Sequence, residues 1–144
     1  MAMTADEIIS ALDLAPHPEG GWYRQTWATP AAAGERPAGT AIYFLLKAGE
    51  RSHWHRVDAT EVWLWHSGAP LRLHRAADAR GPAETLTLGP DLAAMRPQAV
   101  IPAHHWQAAE TTGAFTLVSC TVSPGFRFEG FELAAPGFDI PTEA

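Results

Sequence analysis

The sequence predicts an all-β protein in which two antiparallel sheets pack together behind a short N-terminal helix. The first observation is a succession of short segments rich in aromatic and β-branched residues, the composition typical of strands. The second is a turn signal between neighbouring segments, such as Gly89-Pro90 or Pro124-Gly125. Many short strands at regular spacing in one domain predict a β-sandwich or barrel. The predicted strands are 22–28, 40–47, 51–56, 61–67, 71–75, 85–88, 99–101, 105–108, 115–122 and 128–133.

A helix is predicted ahead of the strands. Thr4 is followed three residues later by Glu7, which is the pattern of a capping box, and an apolar stripe includes Ile8 and Leu12. The prolines of the segment APHP then end the helix. Three further segments are predicted as one helical turn (91–95), an exposed flexible loop (29–38) and a loosely held tail (136–144).

Length, charge and cysteine content limit the classes of protein to consider. The 144 residues form one predicted domain, 1–144, with a core large enough to fold without disulfides. A net charge of −6 and a pI near 5.5 argue against a binder of duplex nucleic acid. Cys120 is alone in an apolar run, so we expect a buried, inert thiol. Because there is no signal peptide and no apolar run of about 20 residues, we expect a soluble cytoplasmic protein without membrane contacts.

The stretch GERSHWHRVDATEVWLWHSG holds the strongest candidate site. His53 and His55 are two residues apart, and side chains at that spacing share one face of a strand. A turn at residues 58–60 would return the chain antiparallel and bring Glu61 to the two rings. Two imidazole nitrogens and a carboxylate form a binding site for a divalent metal, and the same groups are equally suited to orient a substrate by hydrogen bonds.

These residues resemble the first motif of the cupin superfamily, a small double-stranded β-helix (jelly roll). That motif reads glycine, HxH, glutamate, six residues, glycine. His53, His55 and the segment from Glu61 to Gly68 match it, although five residues separate His55 from Glu61, about one more than usual. The resemblance implies a cupin jelly roll and a possible divalent-metal cofactor.

A second cupin motif, PxGxxH, ends in a histidine that binds the metal. The segment PAHHWQ matches it loosely: His104 stands in the place of the glycine and Gln107 in the place of the ligand histidine. The resemblance therefore implies the metal ligands His53, His55, Glu61 and Gln107. His105 lies on the same predicted strand face as Gln107 and adds a further ligand-binding candidate.

A narrower resemblance extends over nearly the whole chain. The segments PHPEGGWYRQTW, HRVDATEVW, PQAVIP and LVSCTVSPGF are similar to one branch of small cupins. Members of that branch are mostly of unassigned function and many are homodimers. The predicted strand 40–47 agrees with a homodimer, because apolar residues occupy both of its faces and a partner subunit would cover the outer one.

The segment PHPEGGWYR supplies further candidates for binding a ligand. Its prolines and glycines explain a turn, but they do not explain His17 and Glu19, or Tyr23 and Arg24 at the start of the next strand. Arg24 is suited to hold a phosphate or carboxylate. Arg56 and Arg127 are further candidates for the same task. On strand 61–67, Trp63 and Trp65 share the face of Glu61 and offer a stacking surface for a ring.

Three functions remain open from the sequence. Some cupins are nucleotide-sugar epimerases, such as dTDP-4-dehydrorhamnose 3,5-epimerase, in which a His–Asp pair removes a proton beside a ketone and a tyrosine returns one. The chain offers His55 with Asp58 or Glu61, and Tyr23 or Tyr43, for those roles. The first hypothesis is therefore an isomerase or epimerase acting on a nucleotide sugar or a related anionic ring-containing ligand. The alternatives are a metal-dependent cupin of oxygenase or isomerase type, and a non-catalytic module that binds or senses a small molecule.

Overall fold

The protein's structure, a computed structural model, describes residues 3–142 and contains eleven strands and one α-helix in that range. The elements are α1 (Ala5–Leu12), β1 (Ala15–Pro16), β2 (Trp22–Ala28), β3 (Thr40–Lys47), β4 (Arg51–Val57), β5 (Thr60–Gly68), β6 (Leu71–Ala76), β7 (Glu84–Leu88), β8 (Gln98–Ile101), β9 (Trp106–Thr111), β10 (Phe115–Ser123) and β11 (Phe131–Leu133), with a 3₁₀ turn at Phe128–Gly130. None of the helices in residues 3–142 has the length and apolar character needed to cross a membrane.

The strands form two antiparallel sheets, which confirms the predicted fold class. One sheet has six strands in the order β1-β2-β3-β10-β5-β8, and the other has five in the order β11-β4-β9-β6-β7. Alternate residues of each strand face the space between the sheets. There, Phe44, Trp63 and Leu73 belong to the largest cluster of buried apolar side chains. This core fills one end of the molecule and supports the residues described below at the other.

Helix α1 begins and ends where the sequence predicts. The Thr4 hydroxyl accepts a hydrogen bond from the Glu7 amide (3.2 Å), and the Glu7 carboxylate accepts one from the Thr4 amide (3.0 Å). The helix ends at Asp13, whose φ of 56° is left-handed. Ile8 then packs on Leu45 of β3. The outer face of β3, which was the reason to expect a partner subunit, is thus covered in part by the chain's own helix, and the homodimer stays a prediction.

A β-bulge in β4 decides which of its side chains point inward. Ser52 pairs with Ala109 and His55 with Gln107, so β4 advances three residues while β9 advances two. Ser52 and His55 are both buried as a result. His53 lies outside, where its Nε2 forms a hydrogen bond of 3.0 Å with the carbonyl of Ala135. The expectation that His53 and His55 share one face is therefore wrong.

The C-terminal segment was predicted to be loosely held, but its residues 136–142 pack against the protein. Ile140 is 1% exposed and joins Trp54 and Trp106 in a cluster on the outer face of the five-stranded sheet. The Phe138 ring stacks at 5.3 Å on Trp106, and the Trp54 indole donates to Asp139 (2.8 Å). Residues 143–144 of the predicted tail lie outside the described residues.

The segment predicted as a flexible loop is anchored at one point, and the helical turn predicted at 91–95 is present. Residues 31–35 are exposed, but Arg36 ends that loop with an ion pair to Asp58 (2.6 Å) and a hydrogen bond to the Gly125 carbonyl (2.7 Å). At the predicted helical turn, the Met95 amide donates to the Asp91 carbonyl (2.7 Å), which closes a single turn.

The packing of Ile140 gives a direct test of the C-terminal segment. We expect Ile140→Ala to lower the free energy of unfolding by about 2–4 kcal/mol, since truncation of a buried aliphatic side chain leaves a cavity. Urea unfolding followed by tryptophan fluorescence measures the change. Leu92→Ala is the control, because Leu92 is 64% exposed and should change stability by about 0.5 kcal/mol or less. Equal effects of the two substitutions would contradict the packing described here.

Candidate functional site

A cavity of about 440 Å³ opens between the two sheets at the end where the β1–β2 loop crosses the barrel. Its walls come from both sheets, from the loop and from the segment after β10. The side chains that carry its chemistry are His17, Glu19, Tyr23, Arg24, His55 and Glu61. Apart from Arg24 these groups are buried or half-buried, so their protonation is governed by the protein rather than by bulk water.

The β1–β2 loop carries Glu19 into the cavity. The His17 amide donates to the Gly21 carbonyl (2.9 Å), and Gly20 and Gly21 both have positive φ. A Cβ on Gly20 would lie 2.1 Å from the carbonyl oxygen of Arg51, so only glycine lets the loop rest on β4. The Glu19 carbonyl then accepts a hydrogen bond from the His53 amide (2.8 Å). These contacts hold the loop against the strand that carries His55.

Glu19 lies between two histidines. Its Oε1 is 3.4 Å from Nδ1 of His17 and 3.6 Å from Nε2 of His55, and its Oε2 accepts a hydrogen bond from the Ser52 hydroxyl. His55 Nδ1 donates to the carbonyl of His53 (2.8 Å), because a carbonyl can only accept. The neutral His55 ring therefore leaves its Nε2 unprotonated and directed at Glu19.

Glu61 lies at the end of a chain of hydrogen bonds from the core. The Trp63 indole can only donate, so it fixes the oxygen of the Gln107 amide (2.8 Å) toward itself. The Gln107 nitrogen consequently faces Glu61 and donates to its Oε1 (2.9 Å). The neighbouring Cys120 thiol contributes a small lowering of the Glu61 pKa. This chain holds the Glu61 carboxyl in one orientation at the inner wall of the cavity.

Burial brings the pKa values of the two carboxyl groups into the range around neutral pH. Burial raises the pKa of Glu19 to about 8 against a smaller opposing effect of the Ser52 hydrogen bond. Burial also raises the pKa of Glu61 to about 7, against smaller opposing effects of His55 and of the hydrogen bond from Gln107. The pKa of His17 falls to about 4, and that of His55 is lowered, mainly because burial disfavours the charged rings. Near pH 7 the histidines are therefore neutral, Glu19 is mostly protonated, and Glu61 populates both states.

The structure brings together six of the residues singled out in the sequence. His55, Glu61 and Tyr23 were expected to act on a substrate, and His17, Glu19 and Arg24 to bind it; all six line the cavity. Two of the alternatives left open, Tyr43 and Asp58, lie outside the cavity lining. Tyr43 packs on the outer face against α1, and Asp58 pairs with Arg36, so neither enters the cavity, which leaves Tyr23 and Glu61.

Other predicted ligand-binding residues lie elsewhere, and those expectations are corrected. Trp63 is 1% exposed within the core, and the Trp65 indole donates to the Ala69 carbonyl (3.1 Å). Neither indole lines the cavity, although both follow Glu61 on β5. His105 lies in a turn before β9, where its amide donates to the Pro102 carbonyl (3.1 Å). Gln107 acts behind Glu61 and does not face the cavity.

The same holds for the remaining arginine candidates. Arg56 pairs with Glu132 (2.8 Å) and lies over the Trp106 ring. Arg127 lies 3.5 Å from the Asp58 carboxylate. Among the three arginines considered for binding an anion, Arg24 is thus the one that lines the cavity.

The metal ligands implied by the sequence do not converge. His53 is on the outside of β4, and the Gln107 oxygen is occupied by the Trp63 indole. Among residues 3–142, no three His, Cys, Asp or Glu side chains are arranged to hold a metal ion. The donor set of a metal-dependent cupin therefore does not fit the residues of this cavity.

Some residues of the cavity were not singled out as site residues. Cys120 alternates with Val118 and Val122 along β10, so the same period that predicts the strand also predicts an inward thiol. Burial raises the pKa of this thiol well above its usual value, in agreement with an inert group.

Phe126 and Phe128 line the opening. The sequence predicted a strand at 128–133, whereas Phe128–Gly130 form a 3₁₀ turn and β11 begins at Phe131.

Two antiparallel sheets closed around a polar cavity define a double-stranded β-helix protein. A sequence model of the Cupin superfamily (DUF985) matches residues 6–134, and the chain belongs to that family. No curated protein matches the chain.

Solved structures extend the comparison. Protein SO0799 from Shewanella oneidensis is 39% identical over 93% of this chain and 86% of that chain, with a TM-score of 0.87. A hypothetical protein from Leishmania major is 30% identical over 94% of this chain and 90% of that one, with a TM-score of 0.83. A variant of oxalate decarboxylase from Bacillus subtilis shares the fold alone, at 13% identity over 85% of this chain and 30% of that chain, with a TM-score of 0.64.

Proposed function

We propose that the protein binds a small anionic, ring-containing ligand in its cavity and acts on it as an isomerase or epimerase, with nucleotide sugars as the preferred substrate class. The observation that carries the proposal is the group formed by His55, Glu19 and Glu61. The two carboxyl groups have pKa values of about 8 and about 7 beside a neutral imidazole. Groups with pKa values near the working pH are the most effective proton carriers.

Arg24 supports the anionic character of the ligand. Its guanidinium donates to the Leu12 carbonyl (3.2 Å), and no carboxylate in residues 3–142 forms an ion pair with it. Arg36, Arg51, Arg56 and Arg75, by contrast, each pair with an aspartate or glutamate. An arginine at a cavity wall that has no carboxylate partner is suited to bind a phosphate or carboxylate of the ligand.

The proposed reaction moves a proton to and from a carbon beside a ketone. The Glu61 carboxylate, beside the neutral His55 ring, accepts the proton as the C–H bond breaks, and the bonding electrons form an enolate. Glu19 is mostly protonated near pH 7 and is suited to donate a hydrogen bond to the enolate oxygen. Tyr23 lies on β2, three strands across the sheet from Glu61 on β5. Its hydroxyl returns a proton to the carbon from another side and recovers one through solvent.

The test is deuterium incorporation into a thymidine-diphosphate-linked 4-keto sugar in deuterated water, followed by mass spectrometry. We expect exchange with the wild-type protein, and a decrease of about 100-fold or more in Glu61→Gln, because glutamine cannot accept the proton. Glutamine is nearly isosteric and its amide oxygen can still accept from Gln107, so the fold should persist.

Glu110→Gln is the matched control. Glu110 is on β9 outside the cavity, where it contacts His74 (2.6 Å), and exchange should continue in this variant. Equal loss in both variants, or exchange unaffected by Glu61→Gln, would refute the assigned chemistry. Binding of the sugar nucleotide without any exchange by the wild-type protein would instead favour a binding or sensing module.

A further inference from the structure

Three phenylalanines stand at the opening of the cavity. Phe126 and Phe128 line it, and Phe131 follows on β11. The rings pack edge to face, with centroids 5.0 Å apart for Phe126 and Phe128 and 6.2 Å apart for Phe128 and Phe131. We call these three residues the aromatic rim.

Phe128 is the exposed member of the rim. It is 55% exposed and lines the opening of the cavity. Phe126 and Phe131 pack edge to face against its ring, an arrangement that aromatic pairs prefer. The rim therefore presents an aromatic surface to whatever enters the cavity.

The rim is connected to the acid–base group as well as to solvent. The Phe131 ring lies 5.4 Å from the His55 ring and 6.2 Å from the His17 ring. A ligand that touches Phe128 at the opening is thus within one layer of side chains of His55. Phe126, Phe128 and Arg24 all line this one cavity, so a single ligand can contact Phe128 and Arg24 together.

We infer that Phe128 recognises a planar ring of the ligand, and that a nucleoside 5′-diphosphate portion lies at the opening with its base on Phe128 and its phosphates at Arg24. This inference rests on the proposed function, because it names the part of the substrate that does not react. It replaces Trp63 and Trp65, which the sequence pointed to for stacking, with a residue that faces the cavity. Any base can stack on an aromatic ring, and the stacking is strong enough to select a nucleotide over a sugar phosphate.

The experiment is isothermal titration calorimetry with two probes that carry the same single phosphate, thymidine 5′-monophosphate and 2-deoxyribose 5-phosphate. We expect wild-type protein to bind the nucleotide about 5- to 100-fold more tightly. In Phe128→Leu, which keeps an apolar side chain but removes the ring, most of this preference should disappear. Phe128→Tyr keeps the ring face and should restore it. Affinity for the sugar phosphate should stay within about 2-fold in all three proteins.

Trp27→Leu is the control, since Trp27 is another exposed aromatic residue (53%) that does not line the cavity. The inference is overturned if the wild-type protein shows no preference for the nucleotide, if Phe128→Leu weakens both probes equally, or if Phe128→Tyr fails to restore the preference. Deuterium exchange without this preference would leave the proposed reaction intact. If the preference for the nucleotide depends on Phe128 but no deuterium exchange occurs, the stacking site stands and the proposed reaction is refuted.

Discussion

Replacement of Glu19 by glutamine is expected to abolish most of the decrease in stability that the wild-type protein shows between pH 6.5 and pH 8. Burial raises the pKa of Glu19 from 4.5 to about 8, so the folded state retains a proton that the unfolded chain releases. The neutral form therefore contributes stability at low pH, and that contribution is lost as the pH rises from about 4.5 through 8. Glutamine resembles the protonated acid and has no proton to lose.

The window above pH 6.5 isolates this effect. The pKa of His17 falls from 6.5 to about 4, so between those values His17 makes stability rise with pH and opposes the two carboxyl groups. Above pH 6.5 that opposition ends. At about 1.4 kcal/mol per pH unit, the titration of Glu19 should lower the free energy of unfolding by about 2 kcal/mol between pH 6.5 and pH 8. The contribution of Glu61 ends near its pKa of about 7 and should be less than about 1 kcal/mol here.

Urea unfolding at pH 6.5 and pH 8 measures the effect. The wild-type free energy of unfolding should fall by about 2–3 kcal/mol, and that of Glu19→Gln by about 1 kcal/mol or less. Glu129→Gln is the control, because Glu129 is exposed and should follow the wild type. Parallel curves for wild type and Glu19→Gln would contradict a protonated Glu19 at neutral pH.

Strand positions could be predicted from the sequence because local composition decides them. The predicted strands 22–28 and 40–47 have the same bounds as β2 and β3, and aromatic and β-branched residues dominate both. The start of α1 could be predicted equally well, because its capping box depends on two residues that are three positions apart. The orientation of His53 was not, because the bulge in β4 arises from its pairing with β9, about 50 residues later in the chain.

The sequence also could not predict whether an inward-facing side chain lies at the cavity or in the close-packed core. Alternation correctly places Glu61 and Trp63 on the inward face of β5, where both are buried. It does not show that the cavity ends at Glu61 and that the close-packed core begins at Trp63. Residues two apart are about 7 Å apart along a strand, enough to pass from one region to the other. Long-range closure by the β1–β2 loop, which brings Glu19 to His55, decides where the cavity lies.

Gln107→Leu is expected to lower the free energy of unfolding by about 3–5 kcal/mol. The Gln107 amide, 1% exposed, joins the Trp63 indole to the Glu61 carboxyl. Leucine would leave a buried donor and a buried acceptor without partners, and each such group costs about 1–3 kcal/mol. The loss should also raise the pKa of Glu61 further, because the hydrogen bond from Gln107 lowers it.

A double-mutant cycle with Trp63→Phe separates the hydrogen bond from the packing. Trp63→Phe removes the indole donor and some core volume, so alone it should also destabilise the fold. Once the donor is absent, Gln107→Leu no longer leaves it unsatisfied. The double variant should therefore be more stable than the sum of the single effects by about 1 kcal/mol or more. Additive effects would mean that the indole and the amide do not act as one unit, and that the orientation of Glu61 depends on packing alone.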